Sequence, residues 1–275
     1  MTVPHQAIRK GYADSRFGQL HYVETGTGGP PVLMLHQTPR SSDEYRDVLP
    51  LVGAHTRAIA MDTVGFGASV RPDEPMSIER FADGVEDLVS GLGLTELVLV
   101  GHHTGGVISV EVAARRPDLV RGLVLSGTPY VDAARREQVS TSRPPIDLVT
   151  VAEDGSHLLE LWQRRGAFYP AGHAAVLNRV VLDALRVIDR VEEGHQAVNH
   201  YRMEDRIGEV ACPVLVACGE LDSFSLPDVP RFLKRLPQAT STVLPDTGVP
   251  SVDHHPAAFA AAVNDFVGRL GIEGA

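Results

Sequence analysis

The residues most able to do chemistry in this chain of 275 residues lie in Leu99-Val100-Gly101-His102-His103-Thr104-Gly105-Gly106, an apolar run that passes through a Gly-x-x-x-Gly turn into a helical pattern. Small residues flank a turn of this kind where a strained strand-to-helix bend lifts its central residue above a sheet. That central residue is His103. An imidazole with an ordinary pKa near ~6.5 is mostly free base at neutral pH, so His103 can take a proton unaided.

These positions need a scaffold. Gly18 to Glu24 alternates, Thr25 to Pro30 supplies turn chemistry, and Pro31 to Leu35 is a buried apolar run, so a hairpin feeding a central strand is the simplest reading. Helix-like segments at 41–51, 77–92 and 104–116 then alternate with strand-like segments at 57–61, 96–100 and 120–125. Such alternation predicts a parallel sheet with helices on both faces. From 130 to 206 it gives way to helical segments separated by Pro and Gly, which predicts a helical cap inserted after the sixth strand. The core domain then comprises 1–129 and 207–275, with a strand at 213–217, a helix at 228–236, a short strand at 241–244 and a closing helix at 256–270.

With its strand–turn–helix centred on His103, the chain resembles the α/β-hydrolase fold superfamily, whose nucleophile elbow reads Gly-x-nucleophile-x-Gly. Leu35-His36-Gln37-Thr38-Pro39 resembles the family's oxyanion loop, Asp62-Thr63-Val64-Gly65-Phe66-Gly67-Ala68-Ser69 resembles its Asp-x-x-Gly-x-Gly-x-Ser turn, and Asp222 follows a strand as the family's acid does. Gly248, Pro256 and Phe259 fall into register with the family's Gly-His…Pro…Phe, which puts Val249 where the catalytic histidine stands. Two of the three triad positions are thus changed together, Ser to His103 and His to Val249, while Asp222 remains.

The two exchanges are chemically coherent. Val249 can take no proton, and His103 needs none taken from it. The expectation is a His103–Asp222 dyad, with a ring nitrogen of His103 within the ~3.2 Å of a hydrogen bond to the carboxylate, acting as general base or nucleophile. By resemblance, the backbone N–H groups of Thr38 and Thr104 form the oxyanion hole, and Gln37 stands where the family has Gly, adding a side-chain donor or crowding the hole. His36, Gln37, Trp162 and Val249 are expected at a substrate pocket, with Phe168, Tyr169 and His157 of the cap lining or shielding it. The parts suit a small, partly apolar carbonyl compound, an ester, lactone or C–C bond substrate; a lyase or decarboxylase on the same fold and a catalytically degenerate ligand-binding protein are the alternatives. Further alternatives are His254 as a remodelled base and a serine-type hydrolase using Thr104 or Ser126.

Composition narrows the partners. With 25 Lys+Arg against 35 Asp+Glu the formal charge is −10, and no basic run suits a nucleic acid. No segment approaches the ~20 apolar residues of a membrane span, and Met1 to Tyr12 has no apolar signal-like core. Cys212 and Cys218 fall in one expected strand and cannot pair there, so a cytoplasmic setting is expected. A metal site built from His36, His102 and His103 is possible in principle, but adjacent histidines rarely converge on one ion and no Cys or Glu spacing supports it, and no Gly-rich turn follows a dinucleotide frame, so neither metal nor cofactor is expected. The expected partner is a small-molecule substrate; homo-oligomerisation is open.

Overall fold

The computed structural model describes residues 7–142 and 145–272; the first six residues of the Met1–Tyr12 segment and residues 143–144 of the expected cap lie outside the described residues. Strands β1 (Arg9–Ser15), β2 (Gly18–Thr25), β3 (Pro31–Leu35), β4 (Arg57–Met61), β5 (Leu97–His102), β6 (Val120–Ser126), β7 (Val214–Gly219) and β8 (Ala239–Leu244) form one 8-stranded sheet. Its order is β1-β2-β4-β3-β5-β6-β7-β8, and β2 alone runs antiparallel to its neighbours, β1 and β4.

One expectation fails at the start of this sheet. The segments 18–24 and 31–35 do not form a hairpin: β2 pairs with β1 and β4, while β3 enters the sheet between β4 and β5 in parallel register, Leu33 opposite Ile59 and Leu99. Gly26 explains the detour, because at φ +79 its missing side chain lets the chain pass 2.0 Å, measured to an ideal Cβ, from the Thr56 carbonyl. The helix expected over 41–51 is likewise broken into a 3₁₀ turn at Ser42–Tyr45 and a short helix at Leu49–Gly53.

Strand alternation divides the core between the two faces. Leu33, Leu35, Ile59, Leu99 and Leu123 pack with the helices Ile78–Gly91 and Thr104–Arg115, whereas Val32, Met34, Ala58, Val100 and Val124 pack with Leu49–Gly53 and Pro256–Arg269. The helix Ile78–Gly91 buries Ile78, Phe81, Ala82, Val85, Leu88 and Val89 on one stripe, and Ser77 caps it by accepting the Arg80 N–H at 3.3 Å.

Between β6 and β7 the chain builds the helices Ala133–Ser142, Ser156–Gly166, Ala174–Arg186 and Glu193–His200, with a hydrophobic cluster of their own around Leu161, Leu177 and Val181. This insertion is tied to the sheet end by ion pairs. The fully buried Arg40 pairs with Asp253 and, at 2.9 Å, with Asp183 on the helix Ala174–Arg186, and Arg179 on the same helix reaches Asp43 and Asp47 at 2.8 Å each.

At the end of β4, Asp62 gathers the neighbouring turns. Its carboxylate accepts the Ser42 N–H at 2.6 Å and the Ala68 N–H at 2.8 Å, and His21 Nδ1 lies 2.8 Å away. Burial alone would raise this acid, but His21, the nearby His36 and the two N–H donors outweigh it and hold the pKa at about 2. A folded-state pKa below the unfolded value makes the contribution complete above about pH 4 and lost as pH falls towards 2. Asp62→Asn is therefore expected to cost roughly 2 kcal/mol at neutral pH and to flatten the acid limb in that window, as read by urea unfolding at a series of pH values.

Candidate active site

β5 is buried throughout and ends at His102, and the next residue, His103, adopts φ 46 and ψ −109 before the helix Thr104–Arg115 begins. This left-handed conformation is unusual for a residue with a Cβ and is held by the surrounding packing. The His103 N–H donates to the Ser126 carbonyl at 2.9 Å, and the turn presses so closely on β3 that a Cβ on Gly105 would lie 2.0 Å from the Leu35 carbonyl oxygen.

Asp222 follows β7. Its Oδ1 accepts the N–H groups of Phe224 and Ser225, each at 3.0 Å, and its Oδ2 faces His103 Nε2 at 3.4 Å. Gly127 leaves room for this approach, since a Cβ there would sit 2.9 Å from His103 Nε2 and 3.1 Å from Asp222 Oδ2. The two residues are thus brought together, but the expected hydrogen bond is not made: the atoms stand 3.4 Å apart and both, buried, lack a partner. The reason is double anchoring, of the acid by the 224–225 amides and of the His103 backbone by Ser126. Burial works against the Asp222 carboxylate, yet the adjacent His103 ring and the two amides hold its pKa below the usual carboxylate range. His103 Nδ1 takes no hydrogen bond among the described residues.

Thr38 and Thr104 also meet, with their hydroxyl oxygens 2.9 Å apart. Neither backbone N–H donates to a protein acceptor among the described residues, which leaves both available. Gln37 lines the cavity and is tied to buried Glu44: its N–H and its side-chain amide donate to the two carboxylate oxygens at 2.9 and 2.7 Å. That uses one of the two N–H groups of the side-chain amide.

A cavity of about 510 Å³ is lined by Gln37, Thr38, His103, Thr104 and Val249 together with residues of the insertion. Two expected pocket residues are absent from it. His36 is fully buried, donating from Nδ1 to the Gln37 carbonyl at 2.7 Å while Nε2 accepts the Thr63 N–H at 3.0 Å, so its ring is a structural clamp. Trp162 packs against the insertion's own cluster on the face that its helix spends on internal packing. Phe168 lines the cavity; Tyr169 and His157 do not.

The other histidines also have fixed places. His102 is fully buried, donating from Nε2 to the Val249 carbonyl and accepting from Ser126 Oγ on Nδ1, both at 3.0 Å. Burial first, and then the neighbouring His103, push its pKa well below the ordinary value. His254 bonds Thr247 and His173 at 3.0 and 3.1 Å and does not reach the cavity. Ser126 is buried against His102, and the Thr104 hydroxyl is turned to Thr38.

Sequence patterns do not single out the polar residues that the insertion adds to the cavity, Arg135, Arg136, Arg165, Glu192 and His195. They belong to no motif; the available signal is their charge on otherwise amphipathic helices. Asp147, Glu192 and His195 form the one metal-ligand grouping among the described residues, but both Asp147 oxygens pair with Arg165, which supplies the positive charge an ion would bring.

Comparison with known proteins agrees with this architecture. Residues 30–165 match the family described as alpha/beta hydrolase fold. A haloalkane dehalogenase 2 from Mycobacterium tuberculosis is 38% identical over 138 residues, covering 48% of each chain, so the match spans about half the length of that relative. The 2-hydroxy-6-oxo-6-(2'-aminophenyl)hexa-2,4-dienoic acid hydrolase of Metapseudomonas resinovorans is 25% identical over 91% of this chain and 88% of its own. The enol-lactonase from Burkholderia xenovorans superposes with a TM-score of 0.75 at 21% identity, covering 94% of this chain and all, 100%, of that one.

Because His102 stays neutral in the fold, only the unfolded chain takes up its proton on acidification. The stability that follows from this is present above about pH 6.5 and falls as pH drops below it. His102→Leu, which breaks both bonds and leaves the Val249 carbonyl unpaired, is expected to lower stability by about 1–3 kcal/mol and to weaken that acid dependence, measured by denaturant titration at pH 8 and pH 5.

Proposed function

We propose, for a chain that belongs to the α/β-hydrolase fold superfamily, a cofactor-independent enzyme acting on a small, partly apolar carbonyl compound with His103 as general base. The observation that carries this reading is a single contact: the His103 imidazole, on the strained elbow and open to the cavity, faces the buried Asp222 carboxylate at 3.4 Å.

In this reading the Nε2–H is turned to Asp222 and the unpartnered Nδ1 is the base. For hydrolysis, Nδ1 takes a proton from a water molecule as the water oxygen bonds to the substrate carbonyl carbon. The carbonyl electron pair moves onto its oxygen, which the Thr38 and Thr104 N–H groups receive. Collapse returns that pair, expels the leaving group and passes the proton from the imidazolium to it. Asp222 stabilises the imidazolium in between, and the low pKa of its carboxyl keeps it charged for that purpose. Closing 3.4 Å to hydrogen-bond distance accompanies the positive charge, since active-site hydrogen bonds tighten in the reacting complex. The insertion, 130–206, serves as the cap that encloses the substrate. The names of the similar proteins, a hydrolase of a dienoic acid and an enol-lactonase among them, fit chemistry beside a carbonyl.

The unmade His103–Asp222 hydrogen bond favours one competing reading, a ligand-binding protein without turnover. A panel of esters, lactones, β-keto acids and β-diketones, assayed on wild type, His103→Ala and Asp222→Asn, separates the two. Wild type is expected to turn over at least one class, His103→Ala to lose on the order of 100-fold or more in kcat/KM, and Asp222→Asn to lose less because the 224–225 amides still hold the side chain. A fluorophosphonate is expected to leave the protein unlabelled. Full turnover by His103→Ala would sink the proposal, and absence of product from every class would favour the binding protein.

A further inference from the structure

A chain of net charge −10 nevertheless sets three guanidinium groups, Arg135, Arg136 and Arg165, in the wall of the cavity that contains His103. Two of them are spoken for. Arg165 pairs with both oxygens of Asp147, and Arg136 engages both oxygens of Glu204, at 2.9 and 2.5 Å, together with the Tyr201 carbonyl at 2.9 Å.

Arg135 differs. Its side chain makes one hydrogen bond, from Nη1 to Asp228 Oδ2 at 3.1 Å. Asp228 is itself shared: the same oxygen accepts the Tyr130 N–H at 2.8 Å, and Oδ1 accepts from Arg231 at 3.0 Å. Arg231 further pairs with Asp132, so that acid is divided as well. No acceptor among the described residues meets Arg135 Nε or Nη2. Burial and the repulsion of Arg231 pull its pKa down, against Asp228, Asp132 and Asp222, whereas the pKa of Arg136 is raised. An arginine remains protonated regardless, so its charge stays in the cavity wall incompletely compensated.

We infer that Arg135 anchors a carboxylate of the substrate, with Nε and Nη2 as the two donors. The inference rests on the cavity being the substrate site and names the substrate class: a carbonyl compound that also carries one carboxylate. Nε–H and Nη2–H lie on one edge of a planar fork, which matches two carboxylate oxygens. A phosphate dianion would bring two charges to a single open cation. Phe168, Phe224 and Val249 supply apolar wall in the same cavity, so the body between carboxylate and carbonyl is apolar. Arg135 then selects and orients, while His103 does the chemistry.

The test compares two ligands of one shape by isothermal titration: sodium phenylacetate, which carries the carboxylate, and phenylacetamide, which is neutral. Charge-assisted hydrogen bonds are worth roughly 1.5–3 kcal/mol, so wild type is expected to bind phenylacetate about tenfold tighter or more, with that preference lost in Arg135→Gln. Inorganic phosphate is expected not to displace phenylacetate. The inference is overturned if phenylacetate shows no saturable binding, if the two ligands bind wild type equally, or if the preference survives Arg135→Gln. The comparison of ligands on wild type decides the matter even where the variant fails to fold. Binding is read without turnover: an inert protein that prefers phenylacetate would remove the catalytic reading alone, and an enzyme without the preference would remove this one alone.

Discussion

Backbone packed directly against backbone at the 101–106 turn is the constraint on which the rest of the structure depends. The helix Thr104–Arg115 can start where it does because glycine at 105 lets it meet β3, where an added Cβ would stand 2.0 Å from a carbonyl oxygen. The same close packing forces His103 to φ 46 and points its ring at the ends of β6 and β7 rather than into a helical groove. A residue carrying a Cβ tolerates that conformation only where neighbours over-determine it. Here those neighbours are the Ser126 carbonyl, the Gly127 gap and the Asp222 carboxylate.

Around this point most buried polar groups have a specific partner, and at the elbow itself some are left without one. His36 and His102 are clamps with both ring nitrogens used, Glu44 uses both oxygens on Gln37, and Asp222 uses one oxygen on two amides. What is left over is His103 Nε2, Asp222 Oδ2 and the two threonine N–H groups. Buried groups without partners are costly, so a cluster of them is retained where a ligand or a proton completes it. Val249 fits the same logic: it lines the cavity while its carbonyl is fixed by His102, the histidine next to His103.

The insertion contributes charge as well as cover. Its attachment through Arg40, Asp183, Asp253 and Arg179 is ionic and largely buried, which fixes one geometry because removing either partner strands the other charge. That fixed geometry places the Asp147–Arg165 pair, Glu192 and the incompletely compensated Arg135 around one volume.

By itself the sequence determined the three-layer α/β order and the elbow at His103. These follow from local rules: period-2 burial, glycine spacing and a turn whose backbone demands leave few alternatives. Tertiary structure alone decided the rest. Whether 18–24 pairs with 31–35 or with 9–15 depends on a competition among strands for the centre of the sheet, which no local pattern records. Whether His36, Trp162 or Arg135 faces the cavity depends on which side of each element is taken up by packing, and that is settled by contacts with residues far away in the chain. The 3.4 Å between His103 and Asp222 is of the same kind, set by two independent backbone anchors rather than by the two side chains that meet.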